Sequence, residues 1–170
     1  SLTADDYELA TESAALTQKD AGEYKVIING KGNYTGTKEA TFTIAKATPA
    51  VSDFTFKAPE NLVYDGNPKT ATVTAKNTEI GAVTVSYNPA VPTNAGNYTV
   101  SIDVAESDNY NAATGLTDDS AWKFTITPKK VTVDEIQAKD REYDGTNTAT
   151  ITGKLTGVLD KDAANVTLTA

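Results

Sequence analysis

The sequence contains no cysteine, no histidine and no methionine, and its 170 residues include a single tryptophan. Without Cys and His, the chain can form no disulfide bond, offers no thiolate or imidazole nucleophile, and lacks the usual zinc ligands. Basic residues are also scarce, with 15 Lys and Arg against 23 Asp and Glu. The net charge of −8 argues against nucleic acids and anionic membranes as partners. No apolar run approaches the ~20 residues of a membrane-spanning helix, so no membrane insertion is expected.

Threonine is abundant and is interleaved with Val and Ile, a composition that favours pleated, half-buried strands. Apolar and polar residues alternate along Tyr98–Ile102 and Trp122–Ile126, and this period of two is typical of strands with one buried face. Turn signals separate such runs, at Asn29-Gly30, Asp65-Gly66, Asn94–Gly96 and Asp144-Gly145. The sequence therefore predicts an all-β, antiparallel fold of the sandwich type.

Four short motifs occur twice in the chain, each pair separated by roughly 80 residues, which indicates a repeat unit of that length. The pairs are Asp20–Tyr24 with Asn94–Tyr98, Asn33-Tyr34 with Asn109-Tyr110, Phe42–Ile44 with Phe124–Ile126, and Tyr64–Gly66 with Tyr143–Gly145. The order of the motifs predicts one complete repeat, residues 47–128, flanked by two partial ones. Residues 1–46 are the C-terminal half of a repeat, and residues 129–170 are the N-terminal half of the next. Pro49 and Pro128 mark joins that are too short to be flexible linkers.

The repeated aromatic residues have structural interpretations. Tyr24 and Tyr98 fit the tyrosine corner of immunoglobulin-like sandwiches, in which the Tyr hydroxyl bonds to backbone a few residues upstream. Ligand stacking is the alternative role for these two residues. Trp122 and Phe124 lie on one face of a predicted strand and are expected in the core, with sugar stacking as the alternative role of Trp122.

The repeated Tyr-Asp-Gly motif is expected to form turns. Gly66 and Gly145 fit two-residue hairpin turns, which require positive φ. Tyr64 and Tyr143 precede these turns and are expected to cover the edge of the sheet. An Asp-Gly pair can also belong to a metal-binding loop, which is the alternative interpretation.

The motifs carry a resemblance to a known family. Residues 47–128 resemble a bacterial immunoglobulin-like repeat of the MBG type, and residues 1–46 resemble the end of such a unit. Residues 129–170 resemble the first half of the related YDG repeat, through Arg141–Thr146 and Leu155–Val158. The resemblance implies a tandem array in a large bacterial surface or secreted protein, including adhesins, and hence an extracellular location. It implies no catalytic residue.

Acidic and amide side chains cluster in and beside the long polar loop predicted at residues 105–120. The candidates are Asp103, Asp108, Asn109, Asp118 and Asp119. Their oxygen atoms could bind calcium, and the alternative is a set of solvated turns in which Asp and Asn bond their own backbone. Because the sequence has no Asp-x-Asp-x-Asp-Gly loop, no glycosidase motif and no isopeptide signature, we expect no cofactor and no enzymatic activity.

The two end segments together amount to about one repeat, so they could complete each other. Because neither half closes a sandwich alone, each is expected to expose apolar faces and open strand edges. One hypothesis is head-to-tail self-association through these partial units, which gives a ring or an open fibre. The alternative is truncation, since the chain has no initiator Met and no signal peptide and so reads as an excised segment or a mature product.

These observations predict a non-enzymatic structural or spacer module of a bacterial cell-surface or secreted protein, such as an adhesin stalk. Its expected partners are neighbouring repeats of the same protein. One alternative is a ligand-binding module that contacts a host glycan or protein through the 105–120 loop. Another is an accessory domain of an extracellular enzyme.

Overall fold

The computed structural model describes residues 5–11, 13–14 and 17–167, and the fold is all-β with antiparallel sheets, which confirms the predicted class. The strands are β1 (Tyr7–Leu9), β2 (Gly22–Gly30), β3 (Thr37–Ile44), β4 (Phe54–Lys57), β5 (Thr72–Ala75), β6 (Val83–Asn88), β7 (Gly96–Val104), β8 (Ala113–Thr117), β9 (Lys123–Ile126), β10 (Thr132–Ala138) and β11 (Ile151–Thr156). Short 3₁₀ helices lie at Val51–Asp53 and Asp160–Asn165. Among the described residues, no helix has the length and apolar character to cross a membrane.

The chain divides into two compact units. Unit 1 comprises Ser1–Phe56, Val73–Ser86 and Ser101–Asp118, and unit 2 comprises Lys57–Thr72, Tyr87–Val100 and Asp119–Ala170. Each unit combines a part of the predicted complete repeat with one of the predicted half-repeats. The predicted domain boundaries at 46/47 and 128/129 stay a prediction.

Unit 1 contains the antiparallel sheet β1-β2-β3, in which β2 and β3 pair from Gly22 opposite Ile44 to Asn29 opposite Thr37. Tyr24 lies opposite Phe42 in this register, and their rings stack with centroids 5.3 Å apart. Such aromatic cross-strand pairs stabilise a sheet beyond the area that they bury.

The structure corrects the predicted loop at residues 105–120. Residues 113–117 form β8, which pairs antiparallel with β7 through Ser101 opposite Thr117 and Ile102 opposite Leu116. The register shifts between Ile102 and Val104, where the Asp103 carboxylate accepts a hydrogen bond from the Gly115 amide at 2.8 Å. This bulge interrupts the alternation of apolar and polar residues in β8, so the sequence pattern does not predict that strand.

Unit 2 contains β9 paired with residues 96–100 of β7, with Tyr98 opposite Phe124. Trp122 and Phe124 are 4% and 6% exposed, and Ile126 is almost fully buried. Burying a large side chain contributes about 1.5–3 kcal/mol, so this strand pair anchors the apolar core of the unit. The Trp122 side chain is therefore not displayed for sugar stacking.

The predicted two-residue hairpins at Asp65-Gly66 and Asp144-Gly145 are wrong, although both glycines do have positive φ, +75° and +76°. Asp65-Gly66 lies in the long connection from β4 to β5, and Asp144-Gly145 lies in that from β10 to β11. In each case the Asp carboxylate accepts a hydrogen bond at 2.9 Å from the backbone amide two residues on, at Asn67 and Thr146. These are side-chain turns, which Asp forms without flanking paired strands.

The two tyrosines of this motif have different surroundings. Tyr64 is half-buried and hydrogen-bonded, whereas Tyr143 is 97% exposed. The prediction that Tyr143 covers a sheet edge is therefore wrong. The β10-β11 pair beside it is an antiparallel hairpin with no third strand in the described part of the chain.

Candidate functional site

The tyrosine corner has the same geometry in both units. The Tyr24 hydroxyl donates to the Asp20 carbonyl at 2.9 Å, and the Tyr98 hydroxyl donates to the Asn94 carbonyl at 2.8 Å. Each bond spans four residues and shapes a short loop whose second residue is Ala21 or Ala95. The loop at Ala21 contacts the residues described next, and the loop at Ala95 lines a cleft in unit 2.

In unit 1, the side chain of Asn109 is the centre of a set of contacts that we call the first clasp. Its Oδ1 accepts a hydrogen bond from the Ala21 amide at 2.7 Å. Its Nδ2 donates to Glu79 Oε2 at 2.8 Å and to Asp20 Oδ1 at 3.3 Å. One amide side chain thus ties the corner loop to two other segments, using both its acceptor and its donors.

Backbone hydrogen bonds extend the first clasp. The Ala47 amide donates to the Asn109 carbonyl at 2.9 Å, and the Asn111 amide donates to the Ala47 carbonyl at 2.8 Å, which forms a parallel bridge between Ala47 and Tyr110. The Asn111 side chain also donates to Thr48 Oγ1 at 3.1 Å. Two backbone hydrogen bonds, from the Ala47 amide and to the Ala47 carbonyl, therefore hold the predicted join near residue 47.

Lys46 adds charge to the first clasp. Its ammonium group pairs with the Glu106 carboxylate and donates to the Ser107 carbonyl at 2.8 Å. The hydrogen bond from Lys46 lowers the pKa of Glu106 below its ordinary value of 4.5, and the positive charge of Lys46 adds to this effect. Because the Glu106 carboxylate is largely exposed, solvent screens this ion pair and it adds little to the stability of the clasp.

In unit 2, a second clasp forms around the Tyr-Asp-Gly motif and the 3₁₀ helix Asp160–Asn165. The Tyr64 hydroxyl donates to Asp162 Oδ2 at 2.8 Å. The Lys161 ammonium group donates to the Gly66 carbonyl and lies 5.8 Å from the centroid of the Tyr64 ring. The hydrogen bond to Asp162 raises the pKa of Tyr64 above its ordinary value of 10.0, and burial and the negative charges of Asp162 and Asp65 add to this effect.

The turn that presents Tyr64 is fixed by a buried lysine. Lys69 is 7% exposed, and its ammonium group lies 2.6 Å from Asp65 Oδ2. The Lys69 amide donates to the Pro92 carbonyl at 2.9 Å. The hydrogen bond from Lys69 lowers the pKa of Asp65 below 3.8, and the bond from the Asn67 amide adds to this effect. A buried ammonium group needs such a partner, because an unpaired buried charge is costly.

Beside the second clasp lies an apolar cleft of about 300 Å³. Its lining includes the corner residues Asn94 and Ala95, the join residues Pro128 and Lys129, and the side chains of Tyr64, Val131, Val158, Leu159, Asp162 and Val166. The walls of this cleft are mostly aliphatic.

The predicted calcium ligands have other surroundings. Asp103 bonds the Gly115 amide, Asn109 is the centre of the first clasp, Asp118 is half-buried, and Asp108 and Asp119 are exposed. In the part of the chain that the structure describes, no three acidic side chains group closely enough to hold a metal ion. The calcium hypothesis therefore gains no support.

Sequence reasoning missed several charged residues of the clasps, among them Lys46, Glu79, Lys161 and Asp162. The recurrence of Asn33-Tyr34 as Asn109-Tyr110 was the available signal for the first clasp, because a repeated pair without a core role suggests a contact between repeats. No repeated motif marks Lys161 and Asp162.

The comparison with protein families gives one match, to the MBG domain, over residues 59–119. This segment, a little over a third of the chain, is therefore similar to an MBG domain. The matched segment holds Tyr64, Tyr98, Asn109 and Tyr110, so it supplies residues to both clasps. The match does not reach residues 129–170, and their YDG resemblance stays a prediction. No curated protein and no solved structure matches the chain.

Proposed function

We propose that the chain is a non-enzymatic structural module of a bacterial cell-surface or secreted protein, a spacer such as the stalk of an adhesin. Its partners are neighbouring repeats of the same protein. Its mechanical task is to hold consecutive repeats in a fixed arrangement, so that a distal domain is carried at a defined position.

The first clasp is the observation that carries this proposal. Asn109, Ala47 and Lys46 connect the corner loop, the join and the central repeat through side-chain and backbone hydrogen bonds. Each bond contributes about 0.5–1.5 kcal/mol net, so the whole set stabilises the join by several times the thermal energy. A join of this kind is too well bonded for a flexible tether, and it suits a stalk.

The residues of the 105–120 segment support the alternative role in ligand binding less well than they support the spacer role. Much of the 105–120 segment is engaged within unit 1, by the first clasp at Glu106, Ser107 and Asn109 and by the pairing of β8 with β7. Asp108 remains an exposed polar residue there. An extracellular location agrees with the MBG match and with the absence of cysteine, and it forms part of the proposal.

A display experiment tests the spacer role against the binding role. The chain is placed between a surface anchor and a carbohydrate-binding domain of known specificity, and cell retention on a coated surface is measured under flow. We expect retention to require the added domain and to fall when Asn109→Ala loosens the first clasp.

The opposite result is specific binding by the chain alone on glycan or protein arrays, with or without calcium. If that binding disappeared in Asp108→Ala and persisted in Asn147→Ala, an exposed control, the spacer proposal would be overturned in favour of a ligand-binding module.

A further inference from the structure

The Asn-Tyr pair that forms the first clasp has a second copy at Asn33-Tyr34, in the connection between β2 and β3. Asn109-Tyr110 follows β7 in the same way that Asn33-Tyr34 follows β2, and each of these strands begins just after a corner loop. Tyr34 is 53% exposed, and the exposed Asn33 side chain forms no hydrogen bond within the described part of the chain. The loop therefore displays the groups that Asn109 and Tyr110 use in unit 1.

The cleft in unit 2 displays the complementary groups. Ala95 is the repeat counterpart of Ala21, whose amide donates to Asn109. Lys129 stands three residues after Ile126, as Ala47 stands three residues after Ile44, and Ala47 forms the ladder with Asn109 and Asn111. Neither the Ala95 amide nor the Lys129 backbone is hydrogen-bonded to another described residue.

The shape and chemistry of the cleft fit an incoming Asn-Tyr loop. Its volume is about 300 Å³, and Val131, Val158 and Leu159 form an apolar wall beside the free Ala95 amide. A tyrosine ring buries about 150–250 Å² and keeps its hydroxyl at a polar rim. An asparagine next to the ring can accept from the Ala95 amide, as Asn109 accepts from Ala21.

We propose that this cleft binds the Asn33-Tyr34 loop of a second copy of the chain. Asn33 Oδ1 accepts a hydrogen bond from the Ala95 amide, and Tyr34 packs against Val158 and Leu159. The two surfaces differ, so the contact is head-to-tail and can propagate into a chain of molecules or close into a ring. The inference rests on the proposed function, because it takes the clasp between repeats as the pattern for a contact between molecules.

Sedimentation velocity over a wide concentration range tests the proposal with three variants. The wild-type chain is expected to associate as its concentration rises. Asn33→Ala should weaken association about tenfold, the value of one hydrogen bond to a desolvated amide, and Val158→Arg should abolish it. Asn147→Ala, an exposed asparagine outside both surfaces, should associate like the wild type.

Mixing gives the sharper test of a head-to-tail contact. Asn33→Ala combined with Tyr34→Ala leaves the cleft intact, and Val158→Arg leaves the loop intact, so each alone should be monomeric. Their mixture should form a heterodimer that grows no further. A monomeric wild type at the highest soluble concentration, or association that survives both changes, overturns the proposal.

The same variants separate this proposal from the spacer function. Neither change touches the first clasp, so retention under flow should not respond to them. If association fails while Asn109→Ala still reduces retention, the intermolecular contact is wrong and the spacer function stands. If retention is insensitive to Asn109→Ala, the spacer function fails whatever the association state.

Discussion

The two units present equivalent corner loops in different chemical surroundings. In unit 1, Asn109 accepts a hydrogen bond from the corner at Ala21, and Lys46 binds the neighbouring residues Glu106 and Ser107. In unit 2, the corner at Ala95 borders an apolar cleft, and the hydrogen bonds form nearby between Tyr64 and Asp162. The same corner is therefore hydrogen-bonded to another segment in unit 1 and borders an apolar cleft in unit 2.

Hydrogen bonds require closer geometry than aliphatic contacts, which tolerate small displacements. We therefore expect the position of the unit 1 corner loop, which Asn109 binds through hydrogen bonds, to be fixed more narrowly than that of the unit 2 corner loop, which borders aliphatic side chains. We test this comparison by removing the distinctive side chains of each clasp in turn. The control in each case is the same change at the equivalent position of the other repeat.

Asn109→Ala is expected to have the largest effect. It leaves the Ala21 amide without its acceptor and removes two donors from Glu79 and Asp20, which should lower the free energy of unfolding by about 2 kcal/mol in urea denaturation. The matched change Asn33→Ala removes an exposed side chain and should cost less than about 0.5 kcal/mol. Equal losses in the two variants would show that the clasp contributes no stability.

Gly66→Ala tests the second clasp, and Gly145→Ala is the matched control at the equivalent position of the repeated motif. Both glycines have nearly the same positive φ, so each variant should lose about 1 kcal/mol to backbone strain. A methyl group at Gly66 also meets the end of the Lys161 side chain, whereas nothing lies within 4 Å at Gly145. Gly66→Ala should therefore cost a few tenths of a kcal/mol more, because the flexible Lys161 must move from the Gly66 carbonyl. Identical thermal denaturation of the two variants would contradict the Lys161 contact.

Tyr64→Phe removes one hydroxyl from the second clasp and should lower the free energy of unfolding by about 0.5–1 kcal/mol. The control Tyr143→Phe changes a residue that is 97% exposed and should be neutral. Urea denaturation of both variants measures the difference. A neutral Tyr64→Phe would mean that the bond to Asp162 is replaced by water at no cost.

The smallest effects are expected from pH, and they have opposite signs in the two clasps. Glu106 has a lowered pKa in the folded chain, so its stabilising contact is present above the ordinary pKa of 4.5 and is lost as pH falls below it. Tyr64 has a raised pKa, so its contact is fully present below 10.0 and is lost as pH rises above it. Acid also weakens the Asp65–Lys69 pair in unit 2, since the pKa of Asp65 is lowered as well.

Carbon-13 NMR titration of the Glu106 carboxyl and the Tyr64 phenol measures both shifts. Lys46→Ala should return the pKa of Glu106 towards 4.5, and Asp162→Asn should lower that of Tyr64 towards 10.0. Unchanged titrations in these variants would show that the two partners do not make the contacts described.

Local features were predictable from the sequence, and contacts between distant segments were not. The bond from Tyr98 to Asn94 spans four residues and follows from the Ala-Gly-x-Tyr motif. The bond from Ala21 to Asn109 spans 88 residues, so its existence depends on how two repeats pack, which no local pattern encodes. The strand β8 was missed for a related reason, because a bulge in β8 at Thr114 and Gly115, opposite Asp103, removes its regular alternation.

The most direct test of the central claim is the width of a distance distribution across the first clasp. Thr41 and Thr114 are exposed on β3 and β8 of unit 1, and both can be changed to Cys for spin labels in a chain that has no other cysteine. Pulsed electron paramagnetic resonance should give one narrow distribution, which Asn109→Ala broadens and Asn33→Ala leaves unchanged. A broad distribution in the doubly labelled parent chain, with the same width after Asn109→Ala, would contradict a join held by the clasp.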